Sequence, residues 1–376
     1  MIVGIDASRS LTPLRTGTET YSRRLIGALL PKMRGHAVRL YTNGQPPPGL
    51  FWSEEPPAGV ELRAIPFPRL WTHVRLSAEM LGRPPDVLFV PAHVLPLISP
   101  GRCVVTIHDL GYLAHPEAHR RRDRLYLKWS TGWSARRATL VLADSTATRD
   151  DLVKHYRINP GKIRVIHLGR DLNLAPVTDQ ARLAGVRQRY DIADRYLLHV
   201  GTVQPRKNLK RLIAAFASAS GHPALGDTQL VLSGKLGWLY GDLLPEVARL
   251  GLAGRVRFTG YVADEDLAPL LSGATAFVFP SLYEGFGFPV LEAQSCGVPV
   301  MTSNNSSLPE VAGDAALFVD PLDVDEIAAA IVRLATEPEL RAELSRKGLE
   351  NAKRFSWEKC ATETLAALED VAAGRV

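Results

Sequence analysis

Short apolar runs rich in β-branched residues alternate along this chain with longer stretches whose apolar residues recur at helical spacing. The runs Ile2–Ile5, Val38–Tyr41, Val60–Ala64, Val87–Val90, Val104–Ile107, Leu140–Ala143 and Ile163–Ile166 predict a first set of strands. A second set is predicted at Leu197–Val200, Leu230–Ser233, Val256–Thr259, Ala276–Phe279, Val298–Thr302 and Ala316–Val319. Most of these runs read as nearly continuous apolar stretches rather than alternating ones, the pattern of parallel strands covered by helices on both faces. Between the sets, the polar Gly- and Pro-containing stretch Leu168–Val177 reads as a linker. The expectation is an α/β protein of two doubly wound, Rossmann-like domains facing each other across a cleft, residues 1–172 and 173–356, followed by a terminal helix over 357–376. Ligands of such sheets bind at the carboxyl ends of the strands.

With 376 residues the chain is long enough for two domains of ordinary size. Its 46% hydrophobic and 22% charged residues are those of a globular protein, and no apolar run approaches the ~20 residues that span a bilayer. Met1–Ile5 lacks the basic region and cleavage site of a signal peptide and reads as a strand. Cys103, Cys296 and Cys360 are far apart and form no metal motif, as expected of reduced, buried thiols in a cytoplasmic protein. A net charge of +6 permits an anionic ligand or membrane surface without demanding one, and nothing calls for nucleic acid.

The most informative run is Glu284-Gly-Phe-Gly-Phe-Pro-Val-Leu-Glu292. Proline suits the first turn of a helix, so Gly285, Phe286 and Gly287 should line a helix N-terminus, where backbone N–H groups attract anions. A glutamate stands at each end of that turn. A carboxylate beside an anion needs donors of its own, and sugar hydroxyls are such donors. The run therefore points to a ligand that is part phosphate and part polyol.

This Glu-x7-Glu pattern, followed by Ala293-Gln-Ser-Cys-Gly-Val-Pro-Val300, resembles the signature of the retaining glycosyltransferases of family 4. Leu197-Leu-His-Val-Gly-Thr-Val-Gln-Pro-Arg-Lys-Asn-Leu209 is similar to that family's strand, glycine turn and basic phosphate site. Val105–Asp109, Ala143–Ser145, Val231–Trp238 and Phe355–Glu358 match in the family's order over nearly the whole chain. Pro205–Asn208 with Gly237-Trp238 resembles a subgroup rich in bacterial mannosyltransferases. The resemblance implies the GT-B architecture, in which the last helix crosses back to the first domain.

Each candidate residue has a functional and a structural reading. Arg206 and Lys207 follow a strand and a glycine turn and suit a diphosphate; otherwise they form a solvated basic turn, like Lys210 and Arg211 nearby. Many family members carry an arginine after that glycine, where this chain has Thr202, so more of the phosphate charge falls to Arg206. By resemblance, Glu292 accepts from the ribose hydroxyls; its plain reading is a glutamate complementing the helix dipole. Glu284 resembles the glutamate beside the transferred sugar, His108 the histidine that contacts that sugar, and Val262 a backbone contact to the base. A lone histidine is more often structural, and His199 reads as one. Arg15-Thr-Gly-Thr-Glu19 precedes a helix over Tyr21–Leu29; Gly17 suits a donor phosphate, while Glu19 and Asp109 are acceptor candidates.

Asp264-Glu-Asp266 and Asp323-Val-Asp325 read as helix starts, with Asp264 as an N-cap, rather than as metal sites, so neither a metal nor a cofactor is expected. His119–Trp133, with tryptophans four apart among arginines, reads preferentially as a helix with its apolar side on the sheet and its charged side in water. The alternative is peripheral contact of Arg120–Trp133 with the inner face of an anionic membrane. The expected reaction is retaining, metal-independent transfer of a hexose from a nucleotide sugar to a glycan, lipid-linked or small-molecule acceptor. GDP-mannose is the leading donor and a UDP-sugar the alternative. A non-catalytic nucleotide-sugar-binding partner is the rival from another class.

Overall fold

A computed structural model describes residues 1–12, 17–52, 55–116, 120–235, 237 and 240–376. Arg15, Thr16, His119 and Trp238, singled out above, lie outside the described residues. The chain divides into two compact units: residues 1–169 with 355–376, and residues 170–354.

The first unit holds seven strands: β1 (Ile2–Asp6), β2 (Ala37–Thr42), β3 (Val60–Ala64), β4 (Val87–Val90), β5 (Cys103–Ile107), β6 (Leu140–Ala143) and β7 (Ile163–Val165). All pair in parallel, in the order β3-β2-β1-β4-β5-β6-β7. The second holds β8 (Tyr196–Val200), β9 (Gln229–Ser233), β10 (Val256–Gly260), β11 (Ala276–Phe279), β12 (Val300–Ser303) and β13 (Ala316–Val319). They too are parallel, in the doubly wound order β10-β9-β8-β11-β12-β13. Residues along each strand point alternately to opposite faces. Leu197, Leu230, Leu232 and Val278 enter one buried cluster, while Tyr196, Leu198, Val231, Phe277 and Phe279 enter another. Both faces are dry, and so these strands read as unbroken apolar runs.

The helix Trp357–Ala373 belongs to the first unit and packs on the helix Gly17–Leu29. Ser356 caps it by accepting from the Lys359 N–H, and Arg164 donates to Asp370 at 2.9 Å. Gly169 lies so close that a Cβ there would sit 2.3 Å from the Trp357 nitrogen.

Two sequence expectations are corrected. Asp264 is not an N-cap: Ala263 occupies that place and Asp264 is the first helical residue of Asp264–Ser272. Asp266 is buried and accepts from Arg189 and Tyr190. The helix Arg121–Arg137 does not lay its large apolar side on the sheet. It buries Ser130, Thr131, Gly132, Ser134 and Ala135, while Leu125, Tyr126 and Trp129 are exposed. Close packing explains the choice, because a Cβ at Gly132 would lie 2.8 Å from the Tyr156 ring. Small residues let this helix approach; large ones are left outside.

Candidate functional site

In the second unit, β8 and β11 are neighbours at the point where the strand order reverses. Connections leave these two strands in opposite directions, which opens a crevice at their carboxyl ends. The segment after β8 makes a tight turn, Pro205–Lys207, and passes Asn208 in the left-handed region at φ 62°. The Asn208 amide donates to the Pro280 carbonyl at 3.0 Å and the Pro321 carbonyl at 2.6 Å, which fixes the turn against the segment after β11.

That turn delivers two cations to one carboxylate. Lys207 Nζ donates to Glu284 Oε1 at 2.6 Å, and an Arg206 guanidinium N–H donates to Oε2 at 2.7 Å. Ser281 Oγ donates to Oε1 at 2.6 Å. Lys207 also lies 4.7 Å from the centroid of the Phe279 ring, on which buried His199 stacks. Burial alone would raise the Glu284 carboxyl, but the Arg206 and Lys207 charges, with the Ser281 hydrogen bond, hold it at about 2. Burial and the Lys207 ammonium push His199 down to about 3, so it is a neutral packing residue.

Gly287, at φ 119°, is the N-cap of the helix Phe288–Ser295, with Pro289 in its first turn. Two serines pin the loop before it. Ser307 Oγ donates to the Glu284 and Phe286 carbonyls, and Ser306 Oγ accepts from the Glu284 N–H at 3.1 Å. Neither partner is signalled by a motif in the sequence. Glu292 is partly buried in the helix, with no hydrogen-bond partner for its carboxyl among the described residues. Burial, and then the carboxylates of Asp171 and Asp264, push it up to about 7.

This shift has a measurable consequence. A carboxyl whose folded value exceeds its ordinary 4.5 favours folding fully below that pH, and the contribution is lost as pH rises through about 7. Glu292→Gln is therefore expected to stabilise the protein by about 1–2 kcal/mol near pH 8, a figure reduced for partial exposure. The gain should shrink steadily toward pH 4.5, as read by thermal melting across pH. A mutant curve parallel to the wild-type curve would show that this carboxyl does not titrate as described.

The segments after β8 and β9 meet tightly. A Cβ at Gly234 would lie 2.2 Å from the Gly201 carbonyl, and one at Gly237 would lie 2.3 Å from the Val203 carbonyl. This approach lets the Val203 N–H donate to the Lys235 carbonyl at 2.9 Å. The backbone of Lys235, to which the sequence assigned no role, thus lies against the segment after β8. The Lys235 ammonium lies 5.8 Å from the Tyr261 ring centroid, one residue before buried Val262.

In the first unit the strand order reverses between β1 and β4. A cavity of about 390 Å³ opens there, lined by Asp6, Arg9, Glu19, Asn43, His93 and Tyr126 among others. Arg9 lies 3.8 Å from Glu19. Burial pushes His93 down to about 4, so it presents a neutral ring. Gly17 is the exposed first residue of the helix Gly17–Leu29. His108 does not line this cavity. It is buried, with Nδ1 2.6 Å from Asp144 and Nε2 3.4 Å from the Pro91 carbonyl, and its ring meets Tyr21 edge-on. Burial would lower its pKa, but the Asp144 carboxylate outweighs that and raises it. Asp109 accepts from the Gly111 N–H at 2.9 Å and shapes the turn after β5. Of the predicted residues, the structure thus gathers Arg206, Lys207, Glu284 and Gly285–Gly287 in the second unit. Gly17, Glu19, His108 and Asp109 are in the first. Among the described residues, no group of three or more His, Cys, Asp or Glu side chains could hold a metal ion.

Comparisons with known proteins cover both units. A model described as "Glycosyl transferases group 1" matches residues 187–351, and one described as "Glycosyltransferase Family 4" matches residues 15–174. The chain is 39% identical to O-antigen chain mannosyltransferase B of Escherichia coli over 267 residues, which is 71% of this chain and 70% of that protein. Sucrose-phosphate synthase from Thermosynechococcus elongatus superposes with a TM-score of 0.76 at 22% identity, covering 99% of each chain. Anabaena HepE, solved in complex with UDP and glucose, does so with a TM-score of 0.73 at 22% identity, covering 98% of this chain and 99% of its own. These solved structures share the fold. With both units matched and that degree of identity to a mannosyltransferase, this chain belongs to the group 1 glycosyltransferases of family 4, enzymes of the GT-B type built from two Rossmann-like units.

Proposed function

We propose that this glycosyltransferase moves mannose, with retention of anomeric configuration and without a metal ion, from GDP-mannose to a hydroxyl of a glycan, lipid-linked or small-molecule acceptor. The observation that carries the reading is the pair of cations, buried Lys207 and partly buried Arg206, on Glu284 at the strand-order reversal of the second unit. Two cations around one carboxylate give this cluster a net positive charge beside a helix N-terminus, as a departing diphosphate requires. The new bond joins the acceptor oxygen to the anomeric carbon as the bond from that carbon to the phosphate oxygen breaks. The electron pair leaves with the diphosphate, which also takes the acceptor's proton. Lys207 and Arg206 stabilise that charge, Thr202 and Gly17 approach the phosphates, Glu292 accepts from the ribose, and the backbone at Val262 meets the base. Glu284 and His108 position the sugar. Glu284, held at about 2, stays ionised at neutral pH and serves as a hydrogen-bond acceptor rather than a proton shuttle. The cavity at Glu19 and Asp6 is the acceptor side.

The mannosyltransferase name of the E. coli relative supports mannose. The UDP in HepE supports a nucleotide sugar and favours a UDP-sugar as the second reading. Melting the protein with GDP, UDP or ADP separates them. At about one hundred times Kd the true product nucleotide should raise the midpoint by several degrees. If none of the three raises it, the nucleotide-sugar reading fails.

A further inference from the structure

Nine of the fourteen exposed large apolar side chains found among the described residues lie between Phe67 and Trp129, all in the first unit. They form one face. His73 Nε2 lies 2.8 Å from the Tyr126 hydroxyl, and its ring is 6.0 Å from both Tyr126 and Trp129. The turn Thr72–Leu76, with Leu70 and Val74 exposed, therefore adjoins the helix Arg121–Arg137, with Leu125, Tyr126 and Trp129 exposed. Exposed Leu97 and Ile98 complete the face: the Ile98 N–H donates to Ser77, and Arg137 donates to the Ser99 carbonyl.

The same helix carries six cations, Arg121, Arg122, Arg124, Lys128, Arg136 and Arg137, against the single acid Asp123. No described carboxylate lies within ion-pair distance of Arg121, Arg122, Arg124 or Lys128, whereas the cations of Arg189, Arg333 and Lys347 are all paired. Beside this band, Trp129, Trp133, Arg136 and Arg137 line an open depression of about 400 Å³. The Trp133 Nε1–H is buried with no hydrogen-bond partner among the described residues.

We propose that this face docks on an anionic lipid bilayer. Aromatic rings and leucines enter the headgroup boundary, and arginines pair with lipid phosphates. Charge selects this occupant. A second copy of the chain, bound through the same face, would set two bands of like charge against each other. A neutral glycan offers the arginines nothing to neutralise. Leu70, His73 and Tyr126 of this face also line the cavity proposed as the acceptor side, so the two adjoin; vesicle binding needs neither donor nor acceptor and is read apart from the reaction.

Co-sedimentation with vesicles tests it. The protein should pellet with phosphatidylcholine mixed with phosphatidylglycerol, stay in solution with phosphatidylcholine alone, and be released by high salt. Arg121→Ser and Arg122→Ser should each lower the partition coefficient about fivefold. The double variant Leu125→Ser/Trp129→Ser should lower it about tenfold or more. These side chains are exposed, so melting midpoints should match the parent; if one variant fails to fold, the other still decides. Equal pelleting with both vesicle types, no pelleting with either, or variants that pellet like the parent overturns the proposal. Retention on a mannan matrix without vesicle binding, abolished by Trp129→Ser, would make the face a glycan site instead. A concentration-dependent dimer lost in that variant would make it a self-association surface.

Discussion

Lys207→Ala is expected to weaken nucleoside diphosphate binding about 10- to 100-fold and to lower turnover by about 10²–10³. The lysine is buried, 2.6 Å from Glu284 and 4.7 Å from the Phe279 ring centroid, so no water or neighbouring side chain can replace its charge in place. Its ammonium is in the crevice before any ligand arrives, so the ligand meets a charge that is already desolvated. A desolvated cation interacts with a phosphate far more strongly than an exposed one. The variant should still fold, because Arg206 continues to neutralise Glu284. Breaking a buried pair completely costs about 3–5 kcal/mol, and the second cation should keep the loss well below that. Calorimetric titration of GDP and UDP, with initial rates of sugar transfer, reads both effects. Unchanged affinity for every nucleoside diphosphate refutes the role given to Lys207.

Glu284→Gln should separate binding from chemistry in the opposite direction. Turnover should fall by about 10²–10³, while nucleoside diphosphate affinity holds or improves. The carboxylate and the incoming diphosphate share the same two cations. Removing the carboxylate's charge removes a competitor for them, and it also removes the ionised acceptor proposed to hold the sugar. The wild-type pH–rate profile should show no inflection from this residue in the neutral range, since its cations hold the carboxyl at about 2. If affinity falls as steeply as turnover, Glu284 serves mainly to space Arg206 and Lys207.

The sequence announced most of the strands because the central strands of each sheet are buried on both faces, which leaves nearly continuous apolar runs with little polar alternation to obscure them. Boundaries moved where local turns intervened. β12 begins at Val300 rather than Val298, because the Val298 N–H still closes the preceding helix onto the Ala293 carbonyl. The helix start at Gly287 was legible from Gly-x-Gly followed by proline. The ion pairs across Arg206, Lys207 and Glu284 were not, since 77 and 78 positions separate the partners and only the order of β8 and β11 brings them together. Lys235 escaped for the same reason, because Gly234 and Gly201 must touch before its carbonyl can meet the Val203 N–H. The exposed aromatics of Arg121–Arg137 mislead any periodicity argument. Leu125, Trp129 and Trp133 recur every fourth residue like a core stripe, yet the close approach at Gly132 selects the small residues for the interior.

The close contact of Gly169 with Trp357 bears on how this polypeptide emerges from the ribosome. The second unit is one uninterrupted stretch, residues 170–354, while the first is completed only by residues 355–376. A nascent chain therefore finishes the unit it started second before it can finish the unit it started first. Until Trp357–Ala373 is made, the side of the helix Gly17–Leu29 that this segment covers stays open to solvent. Synthesis at about 5–20 residues per second leaves that surface exposed for many seconds, and chaperones have that interval in which to hold it.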